Sequence, residues 1–195
     1  MKTSALLALA LAAALPLAAN AAEGVSYTYL EAGYAGTELE DSSVDIDADG
    51  WAIGGSVAIA PNFHLFGSYS DQEFDNAGGF GFEQFRAGVG YNHEINPNVD
   101  LLTRVAYEHF DAGEDFFGDA IEFDGYSVEA GVRGAFNANF EGYALAGYED
   151  FEQADGDFYG RVGALVKFNP MWSVGGDVKF VGDDVQFFVG PRVSF

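Results

Sequence analysis

The chain contains no cysteine, which excludes disulfides and thiolate metal sites. Positive charge is scarce too. Eight Lys and Arg residues stand against 31 Asp and Glu, for a formal net charge of −23. That balance excludes nucleic acid as a partner, because the phosphates would be repelled. No apolar run reaches the about 20 residues that a membrane-crossing helix needs. Neither G-x-S-x-G nor H-E-x-x-H occurs, and a hydrolase would need a nucleophile, a base and an orienting group within hydrogen-bond reach. The three histidines are His64, His93 and His109. The first two fall beside short turns, where they are expected to anchor at the membrane interface. His109, near Glu108 and Asp111, is the one place for a histidine–acid pair, but strand phase sets it opposite Glu108. The chain is expected not to be an enzyme.

Aromatic residues, at 16% of the chain, are abundant, and so are its 26 glycines. That content is too high for the disorder that such acidity otherwise suggests. The first residues read as an export signal. Lys2 supplies a positive start, residues 5–15 are an Ala- and Leu-rich run, Pro16 breaks it, and Ala19-Asn20-Ala21 is a small-x-small cleavage site. Residues 1–21 are expected to be removed and 22–195 to form one domain.

The last eleven residues, VQFFVGPRVSF, alternate. Val185, Phe187, Val189, Pro191, Val193 and Phe195 share an apolar face, and the opposite face is mostly polar or small. A period of two marks a β-strand, and eleven residues is about the length a tilted strand needs to cross a bilayer. Four short segments recur along the chain: Pro61-Asn62, Asn96-Pro97-Asn98, Asn137-Ala138-Asn139 and Asn169-Pro170. Asn and Pro favour tight turns, and each segment lies between two alternating runs. The unit is two strands, one short turn and one long acidic loop. Ten strands follow, over 25–35, 51–60, 63–72, 84–94, 99–110, 126–136, 140–150, 158–168, 172–181 and 185–195; eight is the alternative, with the first hairpin as something else. Short periplasmic turns with five longer outer loops are the outer-membrane pattern. The fold class is all-β, a transmembrane antiparallel up-and-down barrel.

Apart from Lys2, the cations are Arg86, Arg104, Arg133, Arg161, Lys167, Lys179 and Arg192. Each falls in a strand, on the face opposite the apolar residues. A cation facing lipid at mid-bilayer costs about 2–4 kcal/mol, so these side chains are expected inside, paired with Glu94, Glu108, Glu129, Glu149 and Asp177. The result is a filled, polar lumen. The faces of the first and seventh strands are ambiguous, because Glu31 shares one with Tyr27 and Tyr29, and Glu149 shares one with Tyr143 and Leu145.

The loops carry only negative charge, which keeps them soluble and mutually repelled. A functional alternative is that they share Ca²⁺ or Mg²⁺ with anionic lipopolysaccharide or recruit a cationic partner. Asp45, Asp47 and Asp49 match the start of an EF-hand loop, but Ser56 stands where a bidentate Glu is required. No cofactor is expected; Ca²⁺ at these aspartates is the remaining metal candidate.

As a set, D-A-D-G-W (47–51), P-N-F-H-L-F-G-S-Y-S (61–70), G-V-G-Y-N-H-E-I-N-P-N (88–98), R-V-A-Y-E-H-F-D-A-G (104–113) and the closing F-F-V-G-P-R-V-S-F resemble the small xanthomonad outer-membrane barrel family. That family was once proposed as the activator of the rice Xa-twenty-one immune receptor and described as regulated by diffusible signal factor. The resemblance implies an outer-membrane or vesicle protein with links to biofilm, motility and virulence, and carries over no catalytic residue. The terminal strand resembles those read by the barrel-assembly machinery, which makes Phe187, Val189, Val193 and Phe195 the assembly signal. Expected partners are that machinery, outer-membrane lipid and lipopolysaccharide. Two roles remain open: a closed barrel with a structural or interaction role at the cell surface, or a narrow pore for small solutes.

Overall fold

The computed structural model describes residues 21–39, 46–74, 81–114, 120–152 and 154–195. Residues 1–20 of the expected leader, and Glu40, Asp41, Asp45, Asp115 and Asp119 of the acidic segments, lie outside them. Ten strands are formed: β1 Tyr29–Leu39, β2 Ile46–Ala60, β3 Phe63–Phe74, β4 Gly81–Asn96, β5 Val99–Glu114, β6 Ala120–Asn137, β7 Phe140–Phe151, β8 Ala154–Lys167, β9 Trp172–Val181 and β10 Asp184–Ser194. Each pairs antiparallel with its chain neighbours, and β1 pairs with β10 through Tyr34↔Val189 and its flanking partners, so the sheet closes into a barrel. Closure removes both sheet edges, leaving no unpaired backbone row to face lipid.

The recurrent asparagines explain the short turns. Asn137 Oδ1 accepts from the amides of Asn139 and Phe140 at 2.8 and 3.0 Å. Asn169 Oδ1 does the same for Met171 and Trp172, both at 2.9 Å, and Asn96 Oδ1 accepts from Asn98 N at 3.0 Å. Each side chain stands in for a backbone acceptor and fixes the reversal.

Alternation sets the two surfaces. Val89, Val105, Val128, Val132 and Val162 are exposed around the outer wall, and period two places the residues between them inside. An aromatic girdle bounds this wall at each end, with Trp51, Phe85, Tyr107 and Tyr126 on one side and Phe63, Phe136, Phe140 and Trp172 on the other. The band between carries no charged side chain, as a lipid-facing wall requires.

Three expectations need correction. The first strand begins at Tyr29 rather than residue 25, because residues 21–28 fold into the barrel end. Gly24, at φ 82°, takes the left-handed conformation that this reversal needs. Several strands also run further outward than the apolar pattern extends. Asp47, Asp49, Glu114, Glu122, Asp124, Asp155 and Asp157 therefore lie on strands rather than in loops, since above the lipid a strand can carry charge on both faces. Finally, the fifth outer connection is only the two-residue turn Gly182-Asp183.

Candidate functional site

The lumen gathers the titratable side chains of nine strands. Glu129 on β6 is an almost fully enclosed carboxylate, 1% exposed. It lies 3.2 Å from Arg86 of β4 and 3.4 Å from Arg104 of β5, and accepts from Tyr159 Oη of β8 at 2.9 Å. Arg86 also meets Glu108 at 2.8 Å. Ser127 ties the two together, accepting from Arg86 at 3.1 Å and donating to Glu108 at 2.5 Å. On the opposite wall Lys179 meets Glu149 at 2.5 Å, Arg192 meets Glu31 at 2.5 Å, and Arg161 faces Asp177 at 3.7 Å. Nearer the short turns, Glu141 holds Arg133 at 2.5 Å and Lys167 at 2.6 Å. Aromatic faces complete the solvation of the cations. Arg192 lies 3.9 Å from the Tyr29 ring centre, Arg104 4.8 Å from Phe66 and Lys179 4.6 Å from Tyr159.

The structure thus places Arg86, Arg104, Glu108, Glu129, Arg133, Arg161, Lys167, Asp177, Lys179 and Arg192 in the lumen, gathered in several ion-paired groups. Glu94 is exposed and takes no part in the described ion pairs. Glu31 and Glu141 were not anticipated as partners. Their strands were ambiguous because the inward faces also carry Tyr29, Tyr143 and Leu145. Those bulky inward residues are what fill the barrel between the ion pairs.

The end beside the short turns is stoppered. Tyr27, 1% exposed, packs with Ala58, Leu102 and Leu145. Its hydroxyl donates to Asp100 Oδ2 at 3.0 Å. Its ring stacks on His64 at 4.6 Å between centroids, with Arg133 over the ring at 4.8 Å. Phe195 N donates to Thr28 O at 2.9 Å, and Ser26 Oγ to the Phe195 carbonyl at 3.2 Å, so the plug joins the closing seam. His64 corrects the sequence reading. It is fully buried in the lumen, not at the interface, because Phe63 and Leu65 take the outer face of β3. A Cβ on Gly90 would lie 2.0 Å from His64 Nε2, so glycine there makes room for the ring. His93 is exposed and lies parallel to Tyr91.

Beyond the plug the lumen opens toward the acidic end as a cavity of about 450 Å³. Its floor is Tyr29, Leu102 and Arg133, and its mouth includes Asp155, Asp184 and Gln186.

The outer rim presents a separate cluster. Tyr107 donates to Asp124, and His109 Nδ1 meets the same carboxylate at 2.8 Å. These bonds, that from Tyr107 first, hold the Asp124 carboxyl below the ordinary range. Asp124 lies outside the lipid-facing band, one step beyond the girdle. Asp47 and Asp49 lie two residues apart on the outer face of β2, while Asp45 is outside the described residues. Among the described residues no three His, Asp or Glu side chains converge on a metal position. Phe187, Val189, Val193 and Phe195 line the outer face of the seam, with Phe187 tilted against Tyr34 at 5.9 Å.

No curated protein sequence matches the chain significantly. Solved structures similar to it include Ail, the attachment invasion locus protein of Yersinia pestis, at 16% identity and TM-score 0.45, covering 86% of this chain and 98% of that one. Neisserial surface protein A matches at 16% and 0.44, covering 87% and 98%, and the KdgM porin in complex with disordered oligogalacturonate at 12% and 0.45, covering 88% and 99%. Residues 4–184 match the family described as the outer membrane protein beta-barrel domain, and the chain belongs to that family of outer-membrane barrels.

Proposed function

We propose that the protein is a closed barrel of the outer membrane, with a structural or interaction role at the cell surface and no catalytic step. The observation that carries this reading is the stopper. Tyr27, Ala58, Leu102 and Leu145 fill the periplasmic end, and the Arg133–Glu141 pair packs beside them, with Arg133 against the Tyr27 ring and both at most 3% exposed. A solute entering the cavity from outside meets a floor of paired charges and packed rings. Porins that leave an aqueous channel are wider, with 16–18 strands.

The outward cavity and the acidic strand ends form the presenting surface. Its negative sign suits a cationic partner, or divalent ions shared with lipopolysaccharide. The motif resemblance to the xanthomonad family adds biofilm, motility and virulence as the processes to examine.

The narrow-pore alternative keeps one observation in its favour, the cavity of about 450 Å³ in the upper lumen. Proteoliposome swelling separates the two. Vesicles with the wild-type barrel should swell in small sugars no faster than protein-free vesicles, and Tyr27→Ala should accelerate swelling. Rapid swelling with wild type would establish the pore instead.

A further inference from the structure

Within the stopper lies a carboxylate without a cation. Asp100 is fully buried. Its Oδ2 accepts from the Tyr27 hydroxyl, and its Oδ1 accepts from the backbone nitrogen of Ala22, both at 3.0 Å. Arg133 stands opposite Asp100 in the β5–β6 register, but its Nε and Nη2 are taken by Glu141. No Lys, Arg or His side chain forms an ion pair with Asp100 among the described residues. A buried carboxylate answered by neutral donors alone is costly, and such groups are normally paired.

The nitrogen facing it is the one that cleavage after Ala19-Asn20-Ala21 would release. Hydrolysis of the Ala21–Ala22 amide adds hydroxyl to the Ala21 carbonyl and hydrogen to the Ala22 nitrogen. The free α-amine then takes a proton from water and is an ammonium at neutral pH. Its position is already fixed. Ala22 is 2% exposed, Glu23 N donates to Pro97 O at 2.6 Å, and Lys167 Nζ donates to Gly24 O.

We propose that Asp100 is a capture site for the new α-ammonium of Ala22, so that leader removal completes a buried ion pair and locks the stopper. The precursor, with an uncharged amide at that place, lacks the lock. This rests on the export-signal reading and on the closed-barrel reading. It gives the cleavage position a structural role: an amine one residue earlier or later would miss the carboxylate.

The test uses processed protein purified from outer membranes. Intact mass should show a chain beginning at Ala22. The folded protein is then treated with an amine-acylating reagent at neutral pH, and labelling of the α-amine is followed by peptide mass. The only other amines of that chain, Lys167 and Lys179, serve as internal standards. The α-amine should react on the order of tenfold more slowly in wild type than in Asp100→Asn, because a paired buried ammonium is withheld from the reagent. A second variant keeps Asp100 and places one methionine before Ala22. It should gain the same reactivity, and its folded-to-unfolded ratio should fall on the order of a hundredfold. Adding Asp100→Asn to it should cost little more. A mass beginning elsewhere overturns the export-signal reading and the capture site with it. A chain beginning at Ala22 with equal labelling rates overturns the capture site alone. If Asp100→Asn fails to fold, the methionine-extended chain decides by the same rates. Swelling measurements judge the closed-barrel reading separately.

Discussion

Glu129→Gln probes the lumen network at its most enclosed member. The substitution keeps the shape and removes the charge. In the wild type the carboxylate lies 3.2 and 3.4 Å from Arg86 and Arg104. At charge separations of about 4 Å and an effective dielectric of about 20, each pair attracts by roughly 4 kcal/mol, most of which desolvation offsets. The variant does not measure that small net term. It leaves Arg86 and Arg104 side by side, with Glu108 the nearest acid still paired to Arg86. Stripping one partner from a buried pair costs about 3–5 kcal/mol, and that is the expected loss. Urea unfolding in lipid bilayers, followed through Trp51 and Trp172, reads it. The double variant Arg86→Gln/Glu129→Gln should lose less than the two single losses together, by about 0.5–3 kcal/mol. A Glu129→Gln barrel within about 0.5 kcal/mol of wild type, or strictly additive losses, would refute the argument that this network is desolvated and coupled.

Four further outcomes are expected. Val105→Arg places a cation at mid-height on the outer wall, where Val105 is 57% exposed, and should destabilise the bilayer-folded barrel by about 2–4 kcal/mol; a neutral effect would put that wall in water. Gly90→Ala forces a methyl against the His64 ring and should cost about 1–3 kcal/mol in the same unfolding assay. Tyr107→Phe removes the main hydrogen bond to Asp124, so the carboxyl should titrate at higher pH by NMR. Its folded value lies below its unfolded one, so this contact favours the folded state above the ordinary carboxylate range near ~4. That contribution fades as pH falls through the folded value. Phe195→Ala should reduce folded protein in the outer membrane, measured by heat-dependent gel mobility, while leaving refolding in detergent intact.

The strand number and antiparallel order were readable because grease alternates with small or charged residues, and because Asn recurs at each periplasmic reversal. Strand phase alone brought the arginines and lysines to one side. Two features were hidden for related physical reasons. Tyr27, Tyr143 and Leu145 are large and apolar yet point inward, so hydrophobicity no longer reports the lipid side in β1 and β7, and Glu31 and Glu141 are lost with it. The stopper was hidden because residues 25–28 continue the alternation of β1 while Gly24 turns them inside. The outward reach of β5, β6 and β8 was illegible as well, since above the lipid both faces are wet and the period-two signal in hydrophobicity vanishes.

Single-channel recording in planar bilayers is the most direct measurement of the central claim, that packed rings and paired charges seal the barrel. Purified wild-type protein should give no steady ohmic opening at moderate voltage, and Tyr27→Ala should give openings. A stable, voltage-independent conductance from the wild type would contradict the account.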